Sequence, residues 1–270
     1  MKSPVIALMT DFGEKDFFVA SLKGVILGIN PESRIIDITH RIPSFDILAG
    51  SFVLYAAHSY FPSFTIFLAI VDPGVGSSRR IILAETKDHF FICPDNGVLS
   101  LVLETERIKS IREITNKRFF LSELSATFEG RDKMAPAAAW LSRGTPLEEF
   151  GKRVSKYEEL SYEKPRIKEN MILGRILYVD KFGNLITNIQ SDMVDLLRDQ
   201  AGSGTISVFA GNSEVSSFKN SYSSTLKGEL LFLKGSLGLM EIAARESSAA
   251  DLLNIKPKDN IKIIAKAGRS

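Results

Sequence analysis

Thiols are almost absent from this 270-residue chain: Cys93 is the only one. A single cysteine builds neither a disulfide framework nor a cysteine metal site. Histidine is scarce too. His40, His58 and His89 are widely spaced, which argues against a histidine-based zinc site. No apolar run approaches the roughly 18 residues of a membrane span. The apolar stretch before Thr10-Asp11 is only about five residues, too short for a signal peptide. Charge of one sign is also lacking. The 34 Lys and Arg against 32 Asp and Glu leave a net charge of +2, no electrostatic footprint for nucleic acid or a membrane surface. With 44% hydrophobic and 24% charged residues the composition is that of a folded protein and excludes disorder. The expectation is a soluble, cytoplasmic protein, long enough for two domains.

The first half alternates strand and helix signals. Pro4 to Met9 is an apolar run that stops at Thr10-Asp11-Phe12-Gly13. Leu22, Val25, Ile26 and Ile29 follow at helical spacing, and Asn30-Pro31 ends that helix. Ile35 to Ile38 reads as a second strand, and Ser44 as the cap of a helix carrying Leu48, Phe52 and Tyr55. Thr65 to Val71 is nearly all apolar, as a strand buried on both faces would be. A Gly-rich loop, Asp72 to Ser78, leads to strands at Ile81 to Ala84 and Phe90 to Cys93. This alternation implies βαβ units and a mostly parallel sheet. Residues 151–170 are half charged and read as a linker or solvated excursion near a domain boundary. Beyond it, Met171 to Val179, Leu185 to Ile189, Leu230 to Leu233 and Ile261 to Ile264 read as strands. Residues 202–224 are rich in Ser and Gly, and helical patterns are short. A small, mainly β domain is expected, with the boundary near 165: an α/β domain over 1–165 and a second domain over 166–270.

In an open parallel sheet, ligands bind beyond the carboxyl ends of the strands. Three places qualify: Asp11 with Asp16 a turn later, Asp72 opening Asp72-Pro73-Gly74-Val75-Gly76, and Asp95-Asn96-Gly97. Each is equally well an ordinary turn. Gly74-x-Gly76 lacks the third glycine of a dinucleotide fingerprint, and no Gly-Lys-Ser/Thr makes it a P-loop. A further cluster, Phe128-Glu129-Gly130-Arg131-Asp132, places two acids and an arginine before an Ala-rich helix, where acids also serve as caps. Asp180-Lys181-Phe182-Gly183-Asn184 combines an acid, an aromatic and an amide, able to grip a polar aromatic ligand or simply to turn the chain. His40 reads as a structural histidine and Cys93 as an inert core thiol.

Taken in order, Thr10 to Gly13, Asp37-Ile38-Thr39-His40, Val71 to Gly76 with Arg79-Arg80, Pro94 to Gly97, Phe128 to Asp132 with Ala135-Pro136, and Asp180 to Asn184 with Thr187-Asn188 resemble the S-adenosylmethionine (SAM) hydrolase, or SAM hydroxide adenosyltransferase, family. That family is related to SAM-dependent fluorinases and chlorinases. The resemblance runs from about residue 4 to 265. It implies an α/β N-terminal domain, a barrel-like β domain after it, and a homotrimer that holds SAM between neighbouring subunits. The implied reaction is attack of water at the ribose 5′ carbon, giving adenosine and methionine. No metal or other cofactor is implied; SAM is the substrate, and adenosine is a product able to stay bound. Carried over, Asp72 and Arg79, seven positions apart, match the pair that handles the water. Asp11 matches the acid on the ribose diol. Asp16 and Asp180 match acids facing the methionine ammonium, with Ser236 nearby. Asn184 matches the adenine reader, with Phe182 and Tyr222 as stacking or packing partners. Phe45 matches an aromatic beside the ribose or sulfonium, and Phe128 and Glu241 complete the substrate contacts.

The chain departs from the family at Glu129, where the pattern has a histidine, and at Gly235, where asparagine is common. None of the three histidines takes the missing place. The expected set becomes Asp72, Arg79 and Glu129, with Arg79 bridging two carboxylates that would otherwise repel. The leaving group departs as a neutral thioether and needs no general acid, so positioning of the water carries the catalysis. Three other readings stand beside the hydrolase. One is a non-catalytic SAM or adenosine binder, with Glu129 marking lost activity. Another is a halogenase, which the Asp72–Arg79 pair and the absence of a hydroxyl at Gly130 disfavour. The last is a magnesium-dependent phosphohydrolase on Asp11, Asp16 and Asp72.

Overall fold

A computed structural model of the chain describes residues 5–121, 127–202, 205–215 and 218–266. The chain forms two compact units that divide between Leu160 and Ser161.

The first unit opens with β1 (Val5–Thr10), α1 (Phe18–Ile29), β2 (Arg34–Thr39), α2 (Ile47–His58) and β3 (Ile66–Ile70). There follow β4 (Ile81–Thr86), β5 (Phe90–Pro94), α3 (Ser100–Leu103), β6 (Ile108–Glu113) and α4 (Ala135–Ser142). The six strands form one sheet in the order β2-β1-β3-β5-β4-β6. Every residue of β1 and β3 is buried, as a central strand covered on both faces requires. Ile6 and Leu8 pack with Leu22 and Ile26 of α1 in the main core. The expected βαβ core is present: β1 lies parallel to β2 and β3, and β3 parallel to β5. The sheet is nevertheless mixed, because β4 runs antiparallel to both β5 and β6. Only residues 87–89 separate β4 from β5, too few for the crossover that parallel neighbours need.

Register places the functional ends. Thr10 lies opposite Ile70, so the segments after β1 and β3 leave the sheet side by side. Asp11 and Asp72 therefore emerge on the same edge. The cap of α2 is Asp46, which accepts from the Ala49 N–H at 3.0 Å, and not the expected Ser44. Phe45, with φ 67°, makes the turn that shifts the helix start.

The charged stretch after 151 is more ordered than a solvated linker. Arg80 donates to the Lys156 carbonyl at 2.8 Å, and the Glu158 and Leu160 N–H groups bond Asp95 and Ser100. Gly97, with φ 95°, leaves room for Leu160; a Cβ there would stand 2.9 Å from the Leu160 nitrogen. Asp95-Asn96-Gly97 is thereby a structural staple.

The second unit contains β7 (Arg166–Lys168), β8 (Met171–Val179), β9 (Leu185–Gln190), α5 (Ser191–Ala201) and β10 (Thr205–Ala210). It continues with β11 (Ser213–Val215), β12 (Leu230–Lys234), β13 (Leu239–Ala244), α6 (Ala249–Leu253) and β14 (Asn260–Lys266). Its sheet, in the order β11-β10-β14-β8-β9-β13-β12, is antiparallel throughout, with β7 added against β8. The terminal strands β11 and β12 approach each other, so the sheet is nearly closed and barrel-like. The 11-residue α5 corrects the expectation of short helical patterns: it buries Val194 and Leu197 over β8, β9, β10 and β14.

Candidate active site

A cavity of about 280 Å³ opens at the edge of the first unit where β1 and β3 end. Its walls are aromatic and its floor is charged. Phe12, Phe18 and Phe128 form a cluster with ring centroids 5.3–5.7 Å apart, Phe128 edge-on to both others and Phe12 tilted against Phe18. Such rings present an electron-rich surface to a cation. Asp11, Phe45, Asp72 and Glu129 also line it.

Arg79 joins the two carboxylates. Its Nε lies 2.9 Å from both oxygens of Asp72, and one terminal nitrogen donates both to Asp72 and, at 2.5 Å, to Glu129 Oε2. The three side chains are only 5–10% exposed. Burial opposes the charge of Arg79, but Asp72 and Glu129 outweigh it and hold the guanidinium above its ordinary pKa. Burial likewise works against an ionised Glu129. A hydrogen bond from Lys133, the Arg79 and Lys133 charges and the Gly76 N–H outweigh it, so the carboxyl titrates below its usual range. Glu129 is therefore a carboxylate at neutral pH.

The local sequence explains how Glu129 comes to face Asp72. Gly130–Met134 form one π-helical turn before α4, with the Ala135 N–H bonded to the Gly130 carbonyl. Pro136 has no N–H to give the Asp132 carbonyl, which accepts from Leu121 at 2.8 Å instead. Asp132 itself is taken up by Arg131 in two bonds of 2.7 and 2.9 Å. Single π turns recur at functional sites.

Asp11 holds the neighbouring loop. It accepts from the Phe45 N–H at 2.9 Å, leaving the Phe45 ring exposed at the cavity mouth. Burial pushes the Asp11 carboxyl up; the Phe45 N–H draws it down, and Asp72 adds to the rise. His40 supports this loop from outside the cavity, with Thr10 on Nδ1 at 2.9 Å and Gly13 on its carbonyl at 2.7 Å. Asp16 is exposed on the loop before α1, outside the cavity lining.

The second unit has its own, larger cavity of about 640 Å³, lined by Asp180, Phe182, Asn184, Tyr222, Arg245 and Ser248 among others. Asp180 organises its rim, accepting from the Phe182 and Asn184 N–H groups at 2.8 and 2.9 Å and from the Asn184 amide at 2.8 Å. Gly183, at φ 81°, is required: a Cβ would stand 2.1 Å from Ser248 Oγ. The turn leaves Phe182 73% exposed while Asn184 is buried. Tyr222 donates to Glu241 at 2.6 Å. Burial raises the Glu241 carboxyl, the Tyr222 hydroxyl lowers it, and the Asp180 charge raises it again. Burial and Glu241 push the Tyr222 hydroxyl up. Glu241 lies outside the cavity lining, and Ser236 is exposed in the turn between β12 and β13, also outside it.

Lys133, Arg245 and Ser248 were not singled out in the sequence. Lys133 stands four residues after Glu129, the spacing of neighbours on one helix face, which was the available signal. Among the described residues, no group of three His, Cys, Asp or Glu is placed to hold a metal ion. None of their helices is long and apolar enough to cross a membrane.

Comparison with known proteins bears on both units. Residues 6–151 match the SAM hydroxide adenosyltransferase N-terminal domain, and residues 174–262 the C-terminal domain of that family. An (R)-S-adenosyl-L-methionine hydrolase of Methanocaldococcus jannaschii is 35% identical over 274 residues, covering 96% of this chain and 95% of the relative. The (R)-S-adenosyl-L-methionine hydrolase of Salinispora tropica is 32% identical, covering 97% and 98%. A fluorinase of an Actinoplanes species is 29% identical over 69% of this chain and 72% of its own. The crystal structure of an uncharacterized conserved protein from Thermotoga maritima superposes with a TM-score of 0.90 at 40% identity, covering 96% of this chain and 99% of that one.

Proposed function

The chain belongs to the SAM hydroxide adenosyltransferase family, and from that footing we propose that it hydrolyses S-adenosyl-L-methionine to adenosine and L-methionine. The observation that carries the reading is the Asp72–Arg79–Glu129 cluster on the wall of an aromatic cavity. It offers fixed acceptors for a water molecule and electron-rich faces for a sulfonium.

The water oxygen bonds the ribose 5′ carbon as the carbon–sulfur bond breaks. The electron pair of that bond goes to sulfur, which leaves as the neutral thioether of methionine. The attacking oxygen becomes a protonated alcohol, a strong acid, so even a weakly basic carboxylate is a sufficient acceptor for its proton. Asp72 and Glu129 hold the water's hydrogens; Arg79 holds both carboxylates. Fixing the water in line with the breaking bond is worth up to about 7–11 kcal/mol. Asp11 takes the ribose diol, with Phe45 and Phe128 against the ribose and sulfonium. Asn184 reads adenine, with Phe182 and Tyr222 packed on it. Asp16, Asp180 and Ser236 serve the methionine end, with Glu241 behind Tyr222.

The reading extends to a homotrimer in which the first unit of one subunit and the second unit of its neighbour share one SAM. It is supported by the division of the proposed contacts between two cavities, one on each unit. Light scattering of the purified protein tests it. The reading includes no metal and a cytoplasmic setting. Incubation with SAM in EDTA, with chloride varied, is expected to yield adenosine and methionine at a rate indifferent to both. SAM bound without product, or a chloro-adenosine product, would overturn it.

A further inference from the structure

We propose that Lys133 is a positioning residue for this reaction, one that cancels the charge of Glu129 and keeps the cluster from gripping the cationic substrate more tightly than its transition state. The inference rests on the hydrolase reading and concerns what that cluster requires.

Three carboxylates line the cavity; Asp11 holds the Phe45 loop, while Asp72 and Glu129 share Arg79, which supplies one positive charge for the pair. Without a further cation the cluster would be net negative. Lys133 closes the balance. Its ammonium lies 2.5 Å from Glu129 Oε1, the oxygen that Arg79 does not take. It comes from outside the cavity lining, with its side chain 26% exposed, and stands 5.5 Å from the Phe120 ring centre. Asp132, the acid next to Lys133 in sequence, is engaged by Arg131. The π-helical turn between residues 130 and 134 puts Glu129 and Lys133 on one face.

The sign of the effect follows from the chemistry. The substrate is a sulfonium, and its positive charge disperses as the carbon–sulfur bond breaks. Excess negative charge nearby stabilises the bound substrate more than the transition state, which tightens binding and slows turnover. A residue that only supported the fold would not separate those two quantities.

The test compares wild type with Lys133→Met, Lys133→Gln and Lys133→Arg, measuring kcat, the SAM dissociation constant by calorimetry, and Tm. Both neutral variants are expected to lose about tenfold in kcat while binding SAM more tightly. Lys133→Gln separates charge from hydrogen bonding and stands in should Lys133→Met fail to fold. Lys133→Arg is expected to restore both quantities to within about threefold. Neutral variants that match wild type, or that lose kcat together with affinity, would overturn the proposal. A wild-type protein that turns over no SAM would overturn the hydrolase reading and the proposal with it, whereas active wild type with an indifferent Lys133 overturns the proposal alone.

Discussion

Arg79 and Glu129 meet at 2.5 Å across 50 residues of sequence, and the same guanidinium holds Asp72. This contact turns two acids that would repel into a single rigid acceptor surface. Because all three side chains are nearly buried, its integrity matters to stability as well as to rate.

Arg79→Met leaves two carboxylates without their shared cation, with Lys133 and the Gly76 N–H still on Glu129. Breaking a buried pair by removing one partner typically costs about 3–5 kcal/mol. The variant is expected to show a lower Tm and to lose SAM turnover. Asp72→Asn keeps the shape but turns an amide N–H toward the Arg79 donors; with Glu129 still on the guanidinium it is expected to lower Tm less than Arg79→Met while losing about 100-fold in kcat. Thermal unfolding and product chromatography on both variants check this.

The pH profile separates two carboxyls. Asp11 titrates above its ordinary range because of burial, whereas Glu129 titrates below, its cations outweighing burial. Protonation of Asp11, which burial makes easier, removes the charge proposed to hold the ribose diol, so KM for SAM is expected to rise on acidification and to lose that pH dependence in Asp11→Asn. Ionised Glu129 is lost as pH falls through its lowered pKa, so kcat is expected to hold through neutral pH and to fall in acid. Steady-state kinetics of wild type and Asp11→Asn from about pH 8 down to about pH 4 check this; a KM that does not change with pH in wild type, or that changes identically in the variant, would contradict it.

Phe182 is mostly exposed at the rim of the second cavity. Its replacement by alanine is expected to leave Tm nearly unchanged while raising KM for SAM by about tenfold, the scale of one aromatic contact. A change in Tm without a change in KM would make it a packing residue.

Tyr222 and Glu241 form a pair of a different kind, a 45% exposed tyrosine donating to a buried carboxyl. Tyr222→Phe removes the one hydrogen bond that draws the Glu241 carboxyl down, at a cost of about 1–3 kcal/mol. Glu241 then titrates higher still. A raised carboxyl favours the folded state while protonated and loses that advantage as pH rises through the folded value. The stability deficit is therefore expected to be larger at about pH 8 than at about pH 5, by denaturant unfolding at both.

Much of this was legible in the residues. The wholly apolar runs of β1 and β3 and the spacing of Leu22, Val25, Ile26 and Ile29 determine their elements through burial alone. The resemblance puts Asp72, Arg79 and Glu129 at one site, and charge balance then leads to the expectation that Arg79 bridges the two acids. The start of α2 was not, because Ser44 and Asp46 are both good caps and only the positive φ of Phe45 selects between them. Strands β10 and β11 hide in Ser- and Gly-rich sequence, where pairing with β14 outweighs weak local propensity. Lys133 escaped notice because its role depends on Glu129 facing the cavity, which a π-helical turn and Pro136 decide.

The central claim is that water, and nothing else, attacks the ribose 5′ carbon. Single-turnover hydrolysis of SAM in ¹⁸O-labelled water, read by mass spectrometry, tests it most directly. One heavy oxygen is expected in the 5′ hydroxyl of adenosine and none in methionine. Unlabelled adenosine, or label carried by methionine, would contradict it.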